Sequence, residues 1–215
     1  RLGAECSMFL QGCGGDAKAC VIAEGEERWR RGTWQDVERA GAIVAEEVME
    51  IVEGGLRQIS PELASAALEM RWPLRPPIDR AGCQAVLDDP HAHELKRLWA
   101  RGLLERLERG VGLPDAASLA LHGVKLGRGL RLTGLEGEPV AELGRLVLDF
   151  YGQGVTFPLG YTDGTGLYLP TTAMLAEGGY EVESYFEYGL PAPLAGGHEV
   201  ILRRTLEELR AQGIT

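Results

Sequence analysis

The chain has 215 residues, of which 45% are hydrophobic and 25% are charged, and this is the composition of a globular protein with a core. Its formal net charge of −10 argues against a nucleic-acid-binding surface, because phosphate binding needs clustered lysine and arginine. No apolar run approaches the roughly 18–20 residues that span a bilayer, so we expect no transmembrane segment.

The four cysteines favour a reducing compartment such as the cytoplasm. They lie at Cys6, Cys13, Cys20 and Cys83, and no two of them form a Cys-x-x-Cys pair. Zinc-finger and thioredoxin-like sites therefore have no support, and we expect reduced thiols.

The hydrophobic pattern predicts interleaved strands and helices. In the first half we expect a buried strand over 6–10, an amphipathic helix over 34–56, a strand over 63–74 and a helix over 91–110. In the second half we expect a hairpin over 118–140, a helix over 139–150, a strand over 155–159, an extended segment over 181–188 and a helix over 197–211. The expected fold class is α/β or α+β, with helices packed on β-sheets.

A glycine-rich loop, GCGGDAK at 12–18, follows the first predicted strand. Closely spaced glycines allow backbone N–H groups to converge on an anion. A nucleotide-binding P-loop is excluded, because Ala17 and Ala19 occupy the positions of its glycine and its Ser or Thr. A tight exit from a strand and a functional backbone nest both remain open.

The segment GLEGEP at 134–139 places Glu138 where a strand is expected to give way to a helix. With Pro139 at the first helical position, the helix dipole would stabilise this carboxylate and fix its direction. From the local pattern, a helix-terminal glutamate without a catalytic role is the other interpretation.

Two tyrosines, Tyr168 and Tyr180, lie in glycine- and proline-constrained segments within 160–182. A loop tyrosine commonly packs its ring, whereas beside a metal its phenol can act as a ligand or donate to a developing oxyanion. Spacing alone leaves both interpretations open. The histidines of HAHE at 91–94 fit a solvent-facing helix start better than a metal site, and His122 and His198 are each expected to be structural.

Four stretches together resemble the neutral/alkaline, non-lysosomal ceramidase family. They are MFLQGCGGDAKA at 8–19, LEGEPVAELG at 135–144, LGYTDGTGLYLPTTAMLAEGGYEVE at 159–183 and HEVILRRTLEEL at 198–209. The likeness covers the later part of that family's catalytic domain, so residues 1–215 are expected to form the C-terminal portion of one such domain. The start at Arg1 likewise favours a fragment or a processed product.

The resemblance implies a zinc-dependent hydrolase that cleaves an amide or related acyl bond with metal-activated water. It places Glu138 and Tyr168 as zinc ligands, Tyr180 as a stabiliser of the tetrahedral intermediate, and Gly14, Gly15 and Asp16 along the substrate site. It also implies two histidine ligands from a missing N-terminal portion, which would be the partner of this chain. The substrate would be a small amide or acyl compound, with lipids among the candidates.

At one position the chain departs from the family pattern. Lys18 stands where ceramidases carry a functionally important serine. This leaves a second hypothesis, namely a catalytically inactive relative that serves as a binding or assembly module.

Overall fold

A computed structural model describes residues 8–25 and 28–215 of the chain. Its α-helices are Trp34–Glu53 (α1), Arg80–Asp88 (α2), Glu94–Glu108 (α3), Ala141–Tyr151 (α4), Met174–Glu177 (α5), Tyr180–Glu183 (α6) and His198–Ala211 (α7). Its strands are Pro61–Pro73 (β1), Ala116–Gly127 (β2), Leu130–Glu136 (β3), Glu138–Pro139 (β4), Val155–Thr162 (β5) and Tyr168–Leu169 (β6). The mixture of helices and strands confirms the predicted α/β or α+β class.

The central sheet has four strands in the order β1-β2-β3-β5, and β4 and β6 form a second, two-stranded sheet. The predicted hairpin is confirmed, because β2 and β3 pair antiparallel around the turn at 127–130. The next strand, β5, lies parallel to β3, and α4 provides the crossover between them. The carboxyl ends of β3 and β5 therefore meet at one edge of the sheet.

One face of this sheet is covered by α4 and α7. Alternate residues of β2 and β3 are buried, as the two-residue period of a strand requires when one face packs on a core. The largest fully buried side chains are Trp72, Met70, Leu121, Leu135, Leu143, Leu169, Leu202, Leu206, Leu209, Ile214, His198 and Val140. The predicted helix over 197–211 supplies several of them, so that prediction is confirmed as α7.

The described chain divides into two compact units, one of residues 8–16 and Glu62–Thr215 and the other of Ala17–Pro61. In the smaller unit, α1 begins at a capping box in which Thr33 and Asp36 satisfy each other's backbone N–H groups. A hydrogen bond from Arg30 keeps the pKa of Asp36 well below its usual value. The predicted amphipathic helix is confirmed, yet none of its twenty residues is buried.

Two predicted extended segments are wrong where the structure describes them. Residues 181–188 form α6 and a following 3-10 helix, Ser184–Phe186, because Gly179 at φ 101° reverses the chain and a helical turn then buries Val182. Of the strand predicted over 6–10, residues 6 and 7 lie outside the described residues. Met8 and Phe9 are exposed and unpaired. Contact with β5 follows at Gln11, whose carbonyl accepts from the Gly160 N–H at 3.2 Å, and at Gly12, which forms an isolated bridge to Leu159.

Helix α2 was not predicted, and it changes the setting of the histidine pair. Asp79 accepts a hydrogen bond from the Gly82 N–H and begins α2. The predicted helix over 91–110 then begins at Glu94, with His93 as its N-cap. Among the described residues, no helix combines the length and hydrophobicity needed to cross a bilayer.

The start of β5 depends on a glycine contact that tolerates no side chain. Gly154 has φ +80°, and a Cβ placed on it would lie 2.3 Å from the carbonyl oxygen of Gly129. We expect Gly154→Ala to lower the free energy of unfolding by about 2 kcal/mol or more, because it adds a clash to an unfavourable φ. Urea unfolding followed by circular dichroism measures this loss.

The matched control is Gly102→Ala in α3, where an added Cβ meets nothing within 4 Å. We expect this variant to gain about 0.5–1 kcal/mol, as alanine does over glycine inside a helix. Equal stability of the two variants would contradict the packing described for Gly154.

Candidate functional site

Glu138 and Tyr168 are held side by side by the small parallel sheet. Glu138 of β4 is the register partner of Tyr168 of β6, although thirty positions separate them in the chain. The Glu138 N–H donates to the carbonyl of Leu167 at 2.8 Å, which closes the same pairing. Two of the predicted site residues are therefore brought together by backbone hydrogen bonds, which do not depend on their side chains.

Glu138 lies where strands give way to a helix, as predicted, but Pro139 is not the first helical residue. Glu138 and Pro139 form β4, and α4 begins at Ala141 after Val140 as its N-cap. Proline fixes φ and has no N–H to donate, which is compatible with a strand edge as well as with a first helical turn. The carboxylate is therefore fixed by strand pairing, and the helix dipole does not set its direction.

Three tyrosine rings surround this carboxylate. Tyr168 and Tyr180 contact each other with ring centroids 5.4 Å apart at 70°, and Tyr168 and Tyr188 lie 6.1 Å apart at 68°. The hydroxyl of Tyr188 donates to Glu138 Oε1 at 3.0 Å, and Tyr168 is the strand partner of the same glutamate. The carboxylate thus accepts a hydrogen bond from one phenol and lies beside a second tyrosine.

Burial and the carboxylate keep both phenols protonated. Burial, followed by the nearby carboxylate of Glu138, raises the pKa of Tyr168 to about 12. The same causes in the same order raise the pKa of Tyr188 well above its usual range. Ionising either phenol would place a second negative charge beside Glu138, and a nearby cation would remove that penalty.

Tyr180, the predicted oxyanion helper, lies in this group at the first residue of α6. Its ring is 53% exposed, and its hydroxyl lies 3.3 Å from Glu187 Oε2, to which it donates. Burial, then Glu187, raises its pKa. The structure therefore places Tyr180 beside Tyr168. Its hydroxyl donates to Glu187, a second carboxylate, on the solvent-exposed side of the tyrosine cluster.

The glycine loop packs directly against β4. The Gly15 N–H donates to the Pro139 carbonyl at 2.8 Å, and a Cβ on Gly15 would lie 2.5 Å from the Glu138 carbonyl oxygen. The carboxylate of Asp16 accepts from the Ala141 N–H at 2.8 Å, at the start of α4. Gly14 is the half-buried residue before them. Since the Gly15 N–H is used within the fold, it is not free to bind an anion.

Cys13 is half-buried in the same loop. Burial, followed by repulsion from Asp16, raises the pKa of its thiol to about 12. The thiolate is the nucleophilic form of cysteine, and at neutral pH this thiol stays protonated. Cys13, Cys20 and Cys83 are all free thiols, as predicted, and Cys6 lies outside the described residues.

Sequence reasoning missed Tyr188 and Tyr161. Tyr188 lies in the segment predicted as extended, so its approach to Glu138 depended on an unrecognised helical turn. Tyr161 has φ 60°, which is uncommon for a bulky residue, and its N–H donates to Gly137 at 2.8 Å. Burial, then the charge of Glu138, raises the pKa of Tyr161. Backbone strain of this kind concentrates at functional sites.

The four histidines lie away from this cluster or are already engaged. His91 is exposed, His93 caps α3, and His122 contacts the Asp163 carboxylate. His198 is buried, stacks on Trp72 and bonds to the Pro170 carbonyl at 2.7 Å, which confirms its structural role. Within residues 8–25 and 28–215, no group of three or more His, Cys, Asp or Glu is arranged to hold a metal ion.

The assembled cluster can accept a cation and donate protons. Its carboxylate carries negative charge, while the phenol oxygens of Tyr168 and Tyr188 add neutral donor atoms beside it. Zinc in proteins takes four ligands drawn from nitrogen, sulfur and oxygen, so Glu138 and Tyr168 would fill two of four positions.

Replacing the carboxylate with a neutral amide should lower the tyrosine pKa values. In Glu138→Gln, we expect Tyr168 and Tyr188 to ionise at lower pH than in the wild type, yet above the usual tyrosine value because burial remains. Absorbance near 295 nm, followed through alkaline pH, measures this change. Since the pKa of Tyr168 is raised to about 12 on folding, the wild type should lose stability as pH rises from about 10.

Glu142→Gln is the matched control, because it removes the same charge from an exposed residue of α4. Its titration should follow that of the wild type. An unchanged titration in Glu138→Gln would contradict the influence of Glu138 on Tyr168 and Tyr188 described above.

Comparisons with known proteins do not assign this geometry to a family. No family model matches the chain, and neither the curated proteins nor the solved structures contain a significant match to it. The resemblance to neutral ceramidases accordingly rests on the four sequence stretches, and the function drawn from it is a proposal.

Proposed function

We propose that the chain is the later portion of a zinc-dependent, ceramidase-like hydrolase that cleaves an amide or related acyl bond. The observation that carries this proposal is the convergence of residues that are far apart in sequence. Gly15 contacts Glu138, Glu138 pairs with Tyr168, and Tyr168 contacts Tyr180. These are the segments that the resemblance assigns to one active site.

The donor set supports zinc as the metal. Glu138 supplies a carboxylate and Tyr168 a phenol, from neighbouring strands that fix their separation. Two further ligands would be the histidines of a segment outside this chain. When bound, zinc would polarise the substrate carbonyl and lower the pKa of its water.

The chain's own residues would position the substrate and hold protons around the reaction. Tyr188 donates to Glu138 at 3.0 Å and so orients the carboxylate toward the ligand side of the cluster. The hydroxyl of Tyr180 is exposed at the edge of the cluster. It would break its hydrogen bond to Glu187 and donate a hydrogen bond to the oxyanion of the tetrahedral intermediate instead. Gly14, Gly15 and Asp16 would form the adjacent wall.

A second candidate function is a catalytically inactive relative that binds or assembles. The observation that favours it is Lys18, whose ammonium group lies 5.2 Å from the centroid of the Trp29 ring. This cation–π contact gives Lys18 a structural partner within the smaller unit. A serine-dependent step has no counterpart at this position.

The first test is the zinc content of the protein purified without chelator. Native mass spectrometry should find the 23.3 kDa chain in a heavier complex that holds roughly one zinc per chain. We expect Glu138→Gln and Tyr168→Phe to lower zinc affinity by at least about 10–100-fold, the loss that removal of a ligand's supporting partner already causes. Metal analysis after dialysis against graded chelator measures the loss.

Two variants serve as controls. Glu142→Gln removes an exposed carboxylate, and Tyr185→Phe removes a hydroxyl from a ring that packs against Trp99. Both should retain zinc. A metal-free complex, or equal zinc in all variants, would overturn the ligand assignment. Hydrolysis of an acyl-amide panel that chelator abolishes would support the enzyme over the inactive relative.

A further inference from the structure

Two arginines place their guanidinium groups near the same aromatic ring, that of Tyr151, at the end of the central sheet away from Glu138. Arg131 of β3 is only 4% exposed, and its Cζ lies 4.4 Å from the centroid of the Tyr151 ring. Arg210 of α7 approaches the same ring at 5.6 Å and the Phe150 ring at 4.0 Å. Two positive charges thus lie around Tyr151.

Within the described part of the chain, neither guanidinium has a carboxylate partner. The ion pairs formed there involve other residues, although the chain carries 32 acidic side chains. Burial, together with repulsion from Arg210, lowers the pKa of Arg131. A buried charge is ordinarily paired, and Arg131, the buried one of the two, has no anion beside it among the described residues.

Backbone carbonyls offset only part of this charge. Arg131 Nη1 donates to the Gln153 carbonyl at 3.0 Å and to Thr156 Oγ1 at 2.7 Å, and Arg210 Nη2 donates to the Phe150 carbonyl at 2.7 Å. These groups lie at the carboxyl end of α4, where the helix dipole amounts to roughly half a negative charge. The buried charge of Arg131 is therefore only partly compensated, whereas Arg210 is exposed and presents its charge beside the same ring.

Three buried polar atoms around the same ring also lack hydrogen-bond partners. They are Arg131 Nε, Thr133 Oγ1 and the hydroxyl oxygen of Tyr151. Thr133 is fully buried next to Tyr151, but the two hydroxyls do not meet in an acceptable hydrogen-bond geometry. Buried polar groups are nearly always satisfied, so unpartnered donors beside an unpaired guanidinium point to a ligand.

From these contacts we propose that Arg131, Arg210, Tyr151 and Thr133 form a binding site for a tetrahedral oxyanion, either free phosphate or the phosphoryl group of a larger ligand. Guanidinium groups bind phosphate through paired, charge-assisted hydrogen bonds, and the hydroxyls would donate to its remaining oxygens. Arg131 lies near the start of β3 and Glu138 follows its end, which separates the two sites by about 20 Å. The proposal is therefore independent of the proposed hydrolase.

Isothermal titration of the full chain with inorganic phosphate tests this site. We expect one saturable binding event, and roughly tenfold or more weaker binding in Arg210→Gln, because one charge-assisted hydrogen-bonding group is lost. Arg204→Gln is the matched control, since Arg204 is exposed on the same helix. It should bind phosphate as the wild type does.

Two further measurements separate the site from general charge effects. Sodium chloride at equal ionic strength should give no saturable heat, because it screens charge without tetrahedral donors and acceptors. If phenyl phosphate binds at least as tightly as phosphate, the site is assigned to the phosphoryl group of a larger ligand. If only inorganic phosphate binds, the site is assigned to the free ion. Absence of phosphate binding, or equal weakening in Arg210→Gln and Arg204→Gln, would overturn the proposal.

Tyr151→Phe provides a variant that keeps the ring beneath both guanidiniums. It removes only the unpartnered hydroxyl, so the fold should persist, as circular dichroism will show. We expect weaker phosphate binding with unchanged secondary structure. Wild-type affinity in this variant, together with wild-type affinity in Arg210→Gln, would exclude the site.

Discussion

The candidate site depends on the pairing of two strands that are each only two residues long. Parallel hydrogen bonds between β4 and β6 join segments thirty residues apart, and they set Glu138 beside Tyr168. Gly137 makes the pairing possible, because it has φ +93° and a Cβ there would lie 2.7 Å from the Leu167 carbonyl. The Gly15 N–H of the glycine loop then donates to the Pro139 carbonyl of β4. Backbone contacts thus position the Glu138 carboxylate, the Tyr168 phenol and the glycine loop next to one another.

The Glu138 carboxylate and the neighbouring tyrosines can lie close together because the phenols stay protonated. The phenols of Tyr168 and Tyr188 both stay neutral beside Glu138, and Tyr188 donates to its carboxylate. A divalent cation would reverse the balance, since it stabilises the phenolate that the carboxylate disfavours. In the proposed enzyme, cation binding would therefore be accompanied by release of a proton from a phenol.

Periodicity and turn chemistry predicted much of the fold from the sequence. The hairpin around 127–129 and helix α7 carry strong local signals, and both are confirmed. The segment at 181–188 lacked such a signal, because one helical turn after Gly179 is too short to show a period. Tyr188 was missed for this reason. Glu138 and Tyr168 were selected by resemblance, and their adjacency arises from long-range pairing that no local pattern encodes.

Each end of helix α4 contacts charged side chains of opposite sign to its dipole. Its amino end, where partial positive charge accumulates, receives the Asp16 carboxylate, and its carboxyl end receives Arg131 and Arg210. One acidic side chain satisfies the first end, whereas two guanidiniums at the second exceed what the dipole can offset. Although the chain has a net charge of −10, no carboxylate of the described residues pairs with either arginine. The field of an acidic molecule opposes anion binding, so the affinity of the proposed site would depend on these few cationic and hydroxyl groups.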